Sequence, residues 1–126
     1  AWCIEPMARI VDALRKAAPA LKIICFPREG GSKLKMFASS VQADCLALGT
    51  AEDIGSVRRE LGDSANVFQG NLDPLALVAG GKALEDGVMK VKSAFSGTPY
   101  IFNLGHGILP ETPIRHVESL LRLVRG

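Results

Sequence analysis

The sequence predicts an α/β fold with parallel strands. Short, almost continuous apolar segments alternate along the chain with segments in which apolar residues recur every three or four positions. The first pattern is typical of strands buried in a parallel sheet, and the second is typical of amphipathic helices. Because consecutive strands are then joined by helical crossovers, we expect neighbouring strands to run parallel.

The chain opens with a predicted helix and its first strand. The helix is marked by apolar residues three or four positions apart, namely Ile4, Met7, Val11, Leu14 and Ala18. Residues 22–26, Lys-Ile-Ile-Cys-Phe, predict a strand that is buried on both faces, and Pro27 and the Gly30-Gly31 pair end it.

Two more units follow. Ser32 is a candidate N-cap for a short helix, whose apolar residues are Leu34, Phe37, Ala38 and Val41. Residues 43–48 predict the second strand and residues 65–70 the third, which residues 71–74 close. The helix between these strands has Gly62 at its C-terminal end and an apolar stripe formed by Ile54, Val57 and Leu61.

The longest predicted helix precedes the fourth strand. Gly97 ends this helix, whose apolar positions are Leu84, Val88, Val91 and Phe95. Residues 99–103 predict the strand. Thr112 and Pro113 suit the N-cap and first positions of a final helix, in which the residues expected to face inward are Ile114, Val117, Leu120, Leu121 and Val124.

Two architectures fit this order of elements. A four-stranded doubly wound sheet would be complete in 126 residues. A (β/α)8 barrel needs about 250 residues, so the chain would form roughly half of one. The periodicity of the apolar residues does not distinguish between them.

Composition excludes several classes of protein. With 48% hydrophobic and 22% charged residues, the chain is typical of a soluble domain with a core. Its net charge of +2 is too small to indicate a nucleic-acid or membrane partner. Cys3, Cys25 and Cys45 lack metal-ligand spacing and are interpreted as reduced core residues. No apolar run is long enough to span a bilayer, and we expect a cytoplasmic protein.

His106 is the leading candidate for chemistry. It lies in residues 101–113, Ile-Phe-Asn-Leu-Gly-His-Gly-Ile-Leu-Pro-Glu-Thr-Pro, directly after a predicted strand. Such a position is at the carboxyl end of a parallel sheet, where α/β proteins place their active sites. Its flanking glycines would let the backbone approach a ligand closely and adopt unusual dihedral angles. The structural alternative is a histidine that hydrogen-bonds within its own turn.

Other candidate residues have simpler interpretations. Asn71 and Asp73 follow the third strand and could face the cleft, but residues just before a proline commonly begin a helix, and this structural role is favoured. His116 is expected on the surface. The glycine pairs at residues 30–31 and 80–81 lack the order of a phosphate-binding loop and are interpreted as turns or helix starts.

Residues 70–74, Gly-Asn-Leu-Asp-Pro, and residues 101–113, with the spacing between them, resemble the carboxy-terminal part of the uroporphyrinogen decarboxylase family. The resemblance covers nearly the whole chain. It implies that residues 1–126 form a single partial domain, the second half of a (β/α)8 barrel. It also implies a lyase of haem biosynthesis, usually homodimeric, that converts uroporphyrinogen III to coproporphyrinogen III by removing four carboxyl groups without a metal or organic cofactor.

The resemblance also implies a role for His106. The histidine of this Gly-His-Gly turn lies in the family's active site and contacts the substrate, so His106 is the expected catalytic and substrate-binding residue. Decarboxylation of a pyrrole acetate needs proton donors near the ring, and imidazole titrates near neutral pH. Arg28 is a possible partner for a substrate carboxylate, although a solvated charge is commoner for a loop arginine.

The chain departs from the family pattern at two positions. Residues 48–50, Leu-Gly-Thr, lack the acidic side chain that the family usually has at this strand end. Glu29 stands where a small residue is usual. The family's other site groups, including an aspartate for the pyrrole N–H groups, belong to its amino-terminal part.

Two other functions are considered. A related corrinoid–thiol methyltransferase would need a zinc site of the His-x-Cys type, but Gly107 and Ile108 follow His106 and no cysteine follows Cys45. A catalytically inactive half-barrel could serve as a structural or interaction module. Any half-barrel leaves apolar strands unpaired at its edges, so we expect the chain alone to self-associate and to be inactive.

Overall fold

Four parallel strands alternate with helices, which confirms the predicted α/β class. The computed structural model describes residues 2–62 and 67–126. The strands are β1 (Ile24–Cys25), β2 (Cys45–Ala47), β3 (Val67–Leu72) and β4 (Tyr100–Leu104). The helices are α1 (Ile4–Ala17), α2 (Leu34–Ser40), α3 (Ile54–Leu61), α4 (Pro74–Ala79), α5 (Gly81–Ala94) and α6 (Ile114–Arg125), with a 3-10 turn at Gly31–Lys33.

The strand order distinguishes between the two architectures. The sheet runs β1-β2-β3-β4, and each strand is parallel to its neighbour. A doubly wound sheet reverses its strand order at a switch point, whereas a (β/α)8 barrel keeps the order of the chain. The fold is therefore that of a half-barrel, and β1 and β4 form the two edges of its sheet.

Among the described residues, the helices cover one face of this sheet. Ile23, Cys25, Leu46, Phe68 and Leu72 belong to a buried core that they share with the helices. This core includes the predicted helix residues Leu34, Phe37, Ile54, Val57, Leu61, Leu84, Val88, Val91 and Phe95. The helix layer therefore supplies the apolar partner for one side of the sheet.

The opposite face is open. Ile24 and Phe26 are 49% and 46% exposed, and Ile101 on β4 is 43% exposed. The prediction that residues 22–26 are buried on both faces is therefore wrong. Side chains of this face fill the interior of a closed barrel, and here they border a cavity of about 460 Å³.

Phe95 is the centre of the core behind β3 and β4. Phe95 directly follows α5, and its side chain is completely buried. Its ring stacks on Phe68 with a centroid distance of 6.0 Å and on Tyr100 with a distance of 4.9 Å. These contacts join the end of α5 to two adjacent strands.

The ends of several elements differ from the predictions. Ser32 lies inside the 3-10 turn and does not cap α2. Pro113 occupies the N-cap position of α6 rather than its first turn, and the Thr112 hydroxyl is buried without a hydrogen-bond partner in the described part of the chain. Ile114 and Leu121 are exposed rather than inward-facing, because only the side of α6 that carries Val117, Leu120, Leu123 and Val124 packs on the core.

The segment between β3 and β4 holds two helices where the sequence predicted one. Asp73 caps α4, since its Oδ1 accepts a hydrogen bond from the Leu75 N–H at 2.8 Å. Gly80, with a positive φ, separates α4 from α5. β3 extends to Leu72, two residues beyond its predicted end, and the predicted strand residues 65 and 66 lie outside the described residues.

The amino end of β2 carries an ion pair. Asp44 accepts hydrogen bonds from the Ile23 N–H at 2.8 Å and from the Arg15 guanidinium at 2.6 Å. These two hydrogen bonds lower the pKa of Asp44 to about 2. The pair fastens α1 and the start of β1 to β2, at the end of the sheet opposite to His106.

The predicted burial of the cysteines is confirmed for two of the three. Cys25 and Cys45 are buried free thiols whose pKa values are raised by burial, whereas Cys3 is exposed and is not a core residue. Among the described residues, no helix combines the length and the apolar character needed to cross a membrane. Nor do those residues contain a cluster of three or more histidine, cysteine or acidic side chains suited to a metal ion.

Candidate active site

His106 lies in the turn directly after β4, at the carboxyl end of the sheet, where the sequence predicts it. Its exposed side chain borders a cavity of about 460 Å³ over the open sheet face. Ile24, Phe26, Gln69 and Asn103 line the same cavity. The wall is thus largely apolar, with amide groups from two neighbouring strands and one imidazole at the rim.

A second, smaller cavity shares His106. It measures about 130 Å³ and lies among the loops that follow β1, β2 and β4. Arg28 and Glu29 come from the first of these loops, and residues 49–52 form the second. His106 therefore stands where the open sheet face meets the loops at its carboxyl end.

The imidazole of His106 uses one nitrogen within its own turn. The Gly107 N–H donates a hydrogen bond to Nδ1 at 2.9 Å. Because a backbone N–H only donates, Nδ1 must offer its lone pair, and the neutral ring carries its proton on Nε2. Nε2 makes no hydrogen bond within the described residues. The hydrogen bond at Nδ1 therefore leaves the Nε2–H free for a ligand.

The two glycines beside His106 have different surroundings. A Cβ atom on Gly105 would lie 2.5 Å from the Thr50 nitrogen and 2.7 Å from its Cα. Gly105 therefore makes room for the loop after β2 rather than for a ligand. Gly107 has open space around it, and neither glycine has a positive φ, contrary to the expectation of unusual dihedral angles.

Arg28 is accessible from the smaller cavity. Its guanidinium Nε lies 3.7 Å from a Glu29 carboxylate oxygen, and both side chains are well exposed. A pair this long and solvated holds the guanidinium weakly. The positive charge is therefore available to a bound carboxylate.

A family model described as uroporphyrinogen decarboxylase (URO-D) matches residues 1–126, which is the whole chain. The chain belongs to the uroporphyrinogen decarboxylase family. This membership accounts for the strand order, because the family fold is a (β/α)8 barrel, to which the described residues contribute four strands.

Curated relatives of this chain are named uroporphyrinogen decarboxylase. Uroporphyrinogen decarboxylase of Sphingopyxis alaskensis is 45% identical over 125 residues, which are 99% of this chain and 36% of the relative. The enzyme of Rhizorhabdus wittichii gives the same identity and coverage. That of Chelativorans sp. is 43% identical over 124 residues, or 98% of this chain and 36% of the relative. The chain thus spans about a third of the length of these uroporphyrinogen decarboxylases.

Asp73 has the helix-starting role that the sequence favours, whereas the same prediction is wrong for Asn71. Asp73 caps α4. Asn71 is buried, and its amide nitrogen donates to the carbonyl oxygens of Gly49 and Glu52, each at 2.8 Å. It therefore binds the loop after β2 rather than starting a helix, which no local pattern in the sequence could indicate.

The predicted surface role of His116 is wrong. Its ring is partly buried, and Nδ1 lies 3.0 Å from the Leu77 carbonyl oxygen and 3.1 Å from that of Val78. Since carbonyl oxygens only accept, Nδ1 carries the proton. A Cβ on Gly80 would lie 2.5 Å from this ring. His116 thus fastens α6 to the end of α4, and the glycine at position 80 makes space for it.

Proposed function

We propose that this chain is the carboxy-terminal part of an enzyme that decarboxylates the four acetate side chains of uroporphyrinogen III to give coproporphyrinogen III. The placement of His106 supports this proposal most directly. The imidazole has a free Nε2–H at the junction of two cavities, beside an open apolar face. In the proposed complex, remaining strands close the barrel, and the pyrrole rings lie against this face below the imidazole.

The reaction explains why such a site suits the substrate. A carboxyl group leaves an arylacetate easily only if the ring accepts the electron pair, which requires a proton on the pyrrole first. The C–C bond to the carboxylate then breaks and carbon dioxide leaves. The electron pair of the broken bond forms a double bond between the exocyclic carbon and the ring. Protonation of the exocyclic carbon gives a methyl group, and loss of the proton added to the ring restores the pyrrole.

His106 has two roles in this proposal. Its Nε2–H donates a hydrogen bond to the substrate and so holds an acetate arm in place, and it exchanges a proton with the reacting pyrrole. Arg28 pairs with a carboxylate at the edge of the cleft, since a guanidinium binds carboxylates with parallel hydrogen bonds. Ile24, Phe26 and Ile101 provide apolar contact for the rings.

The wider proposal follows family membership. The complete enzyme is a cytoplasmic homodimer of haem biosynthesis that needs no metal or organic cofactor and has no nucleic-acid or membrane partner. The names of the relatives support the reaction. A catalytically inactive structural or interaction module is the second candidate, favoured by the uncovered apolar sheet face.

Co-expression tests both candidates. The chain is produced with the portion of the Sphingopyxis alaskensis relative that it does not cover, and the purified complex is given uroporphyrinogen III anaerobically. The products are separated by their number of carboxyl groups. We expect turnover by the complex and none by either part alone. A stable complex without turnover would favour the interaction module.

Two histidine variants of the complex refine the test. His106→Asn is expected to lower turnover about 100-fold or more, or to change the order in which the acetates react, without altering the thermal midpoint. His116→Asn is the matched control, because it removes a structural contact and should lower the thermal midpoint with little change in kcat. Unchanged kinetics for all four acetates in His106→Asn would remove His106 from the site.

A further inference from the structure

Among the described residues, Asn71 is the polar residue that is buried, with 8% of its surface exposed. An amide NH2 group has two hydrogens, and both are used here. One is donated to the Gly49 carbonyl oxygen and the other to that of Glu52, at 2.8 Å each. The side chain at the end of β3 therefore holds a backbone segment that follows β2.

The segment that Asn71 holds is a tight turn, residues 49–52. The Glu52 N–H donates to the Gly49 carbonyl oxygen at 3.1 Å, so Asn71 bonds to both ends of the turn. The Glu52 carboxylate in addition accepts a hydrogen bond from the Gly31 N–H at 3.1 Å. The turn is thereby tied to β3 on one side and to the loop after β1 on the other.

The same turn lies against the residue before His106. An added Cβ on Gly105 would be 2.5 Å from the Thr50 nitrogen and 2.7 Å from the Thr50 hydroxyl oxygen. The Gly105 N–H is bonded to the Leu72 carbonyl oxygen at 2.8 Å. Gly105 is thus enclosed between β3 and the turn, and a displacement of the turn reaches the backbone that carries the imidazole.

We propose that Asn71 is a positioning residue, which sets the place of His106 through residues 49–52 and Gly105. Its effect on turnover rests on the proposed function, whereas its effect on the position of the turn does not. An aspartate at position 71 has nearly the same shape but no N–H groups. Its carboxylate would face two carbonyl oxygens, and the repulsion would displace the turn.

The test combines hydrogen exchange with kinetics in the co-expressed complex. In Asn71→Asp, we expect amide exchange to rise about tenfold or more at residues 49–52 and also at Gly105 and Gly107. We expect kcat to fall about tenfold or more, with a smaller change in KM. Asp44→Asn is the control, because it removes a carboxylate charge, and with it an ion pair, at the opposite end of the sheet and should leave both readouts at the turn unchanged.

Gly105→Ala interrupts the same contact from its other side. Its new methyl group would displace Thr50, so this variant should show the same exchange pattern and the same fall in kcat while Asn71 stays intact. Because both changes act through one contact, the double variant should be little worse than either alone. Gly105→Ala also tests the proposal if Asn71→Asp does not fold.

Two results would overturn the positioning role. One is faster exchange confined to residues 49–52, with Gly105 and Gly107 unaffected. The other is an unchanged kcat in both variants of an active complex. If the wild-type complex has no activity, the proposed function fails, but exchange at Gly105 and Gly107 still decides whether Asn71 controls the His106 turn.

Discussion

The open sheet face makes a quantitative prediction about the 126-residue chain on its own. Ile24 and Ile101 are 49% and 43% exposed on that face. Full burial of an isoleucine contributes about 1.5–3 kcal/mol, so covering the remaining half of each contributes about 0.7–1.5 kcal/mol. Replacing both by threonine keeps the β-branched shape and removes about 1.5–3 kcal/mol for each copy whose face is covered on association.

The assay is sedimentation velocity over a dilution series. The chain should self-associate, because the apolar face and the edges β1 and β4 offer contacts to a second copy. Since 1.4 kcal/mol corresponds to a tenfold change in affinity, Ile24→Thr with Ile101→Thr should raise the dissociation constant about 10- to 100-fold for each copy whose face is covered. Matched changes at exposed residues of the helix layer, Met36→Gln with Met89→Gln, should leave it nearly unchanged.

Two results would refute this reasoning. A sharp monomer peak at all concentrations would show that the sheet face needs no cover, which contradicts a half-barrel. An equal loss of association in the methionine pair would place the contact on the helices instead. Neither result depends on catalytic activity.

Three further predictions concern stability and substrate binding in the co-expressed complex. Hydrogen bonds from Ile23 and Arg15 lower the pKa of Asp44 to about 2, below the value of about 3.9 in an unfolded chain. Their stabilisation is therefore complete above about pH 4 and lost as the pH falls through about 2, and Asp44→Asn should remove this part of the pH dependence of the urea midpoint. Phe95→Ala should lower the free energy of unfolding by about 3–5 kcal/mol in urea titrations, because it empties a fully buried site between two rings; a change below about 1 kcal/mol would contradict the packing described. Arg28→Ala should raise KM about tenfold or more with kcat largely kept, and Arg28→Lys should recover part of the loss; an unchanged KM would leave Arg28 as a solvated charge.

The helical elements follow closely from the sequence. Ile54, Val57 and Leu61 recur on one face of α3, and all three are buried. Apolar spacing identifies such a face because one side of the helix meets a core within the same chain. The caps are less predictable. Ser32 and Thr112 have suitable side chains, but the 3-10 turn and the position of Pro113 place them away from the free N–H groups of α2 and α6.

The strands show what an apolar run cannot reveal. Ile24 and Phe26 are apolar, like residues buried in a sheet, but they are exposed because the described residues do not cover them. The apolar character of these side chains fits the interior of a complete barrel. Their exposure is measured in a structure that has only the four described strands. The run therefore predicted the strand correctly and its burial incorrectly.

The position of His106 in the fold was predictable from the sequence, but the contacts that support its turn were not. The strand and the Gly-His-Gly turn place His106 at the carboxyl end of the sheet, where the structure has it. The contact of Gly105 with Thr50 and the hydrogen bonds of Asn71 join residues about 20 to 55 positions apart. A single sequence gives no measure of such distances, so from the sequence alone Gly105 is predicted to allow the approach of a ligand.

A structure of the co-expressed complex with coproporphyrinogen III bound would show both how the sheet is completed and where His106 lies relative to the tetrapyrrole. We expect strands of the added portion to pair with β1 and β4, and His106 Nε2 to lie within about 3 Å of a polar atom of the tetrapyrrole. A complex in which both strand edges remain unpaired, or in which the tetrapyrrole binds away from His106, would contradict this expectation.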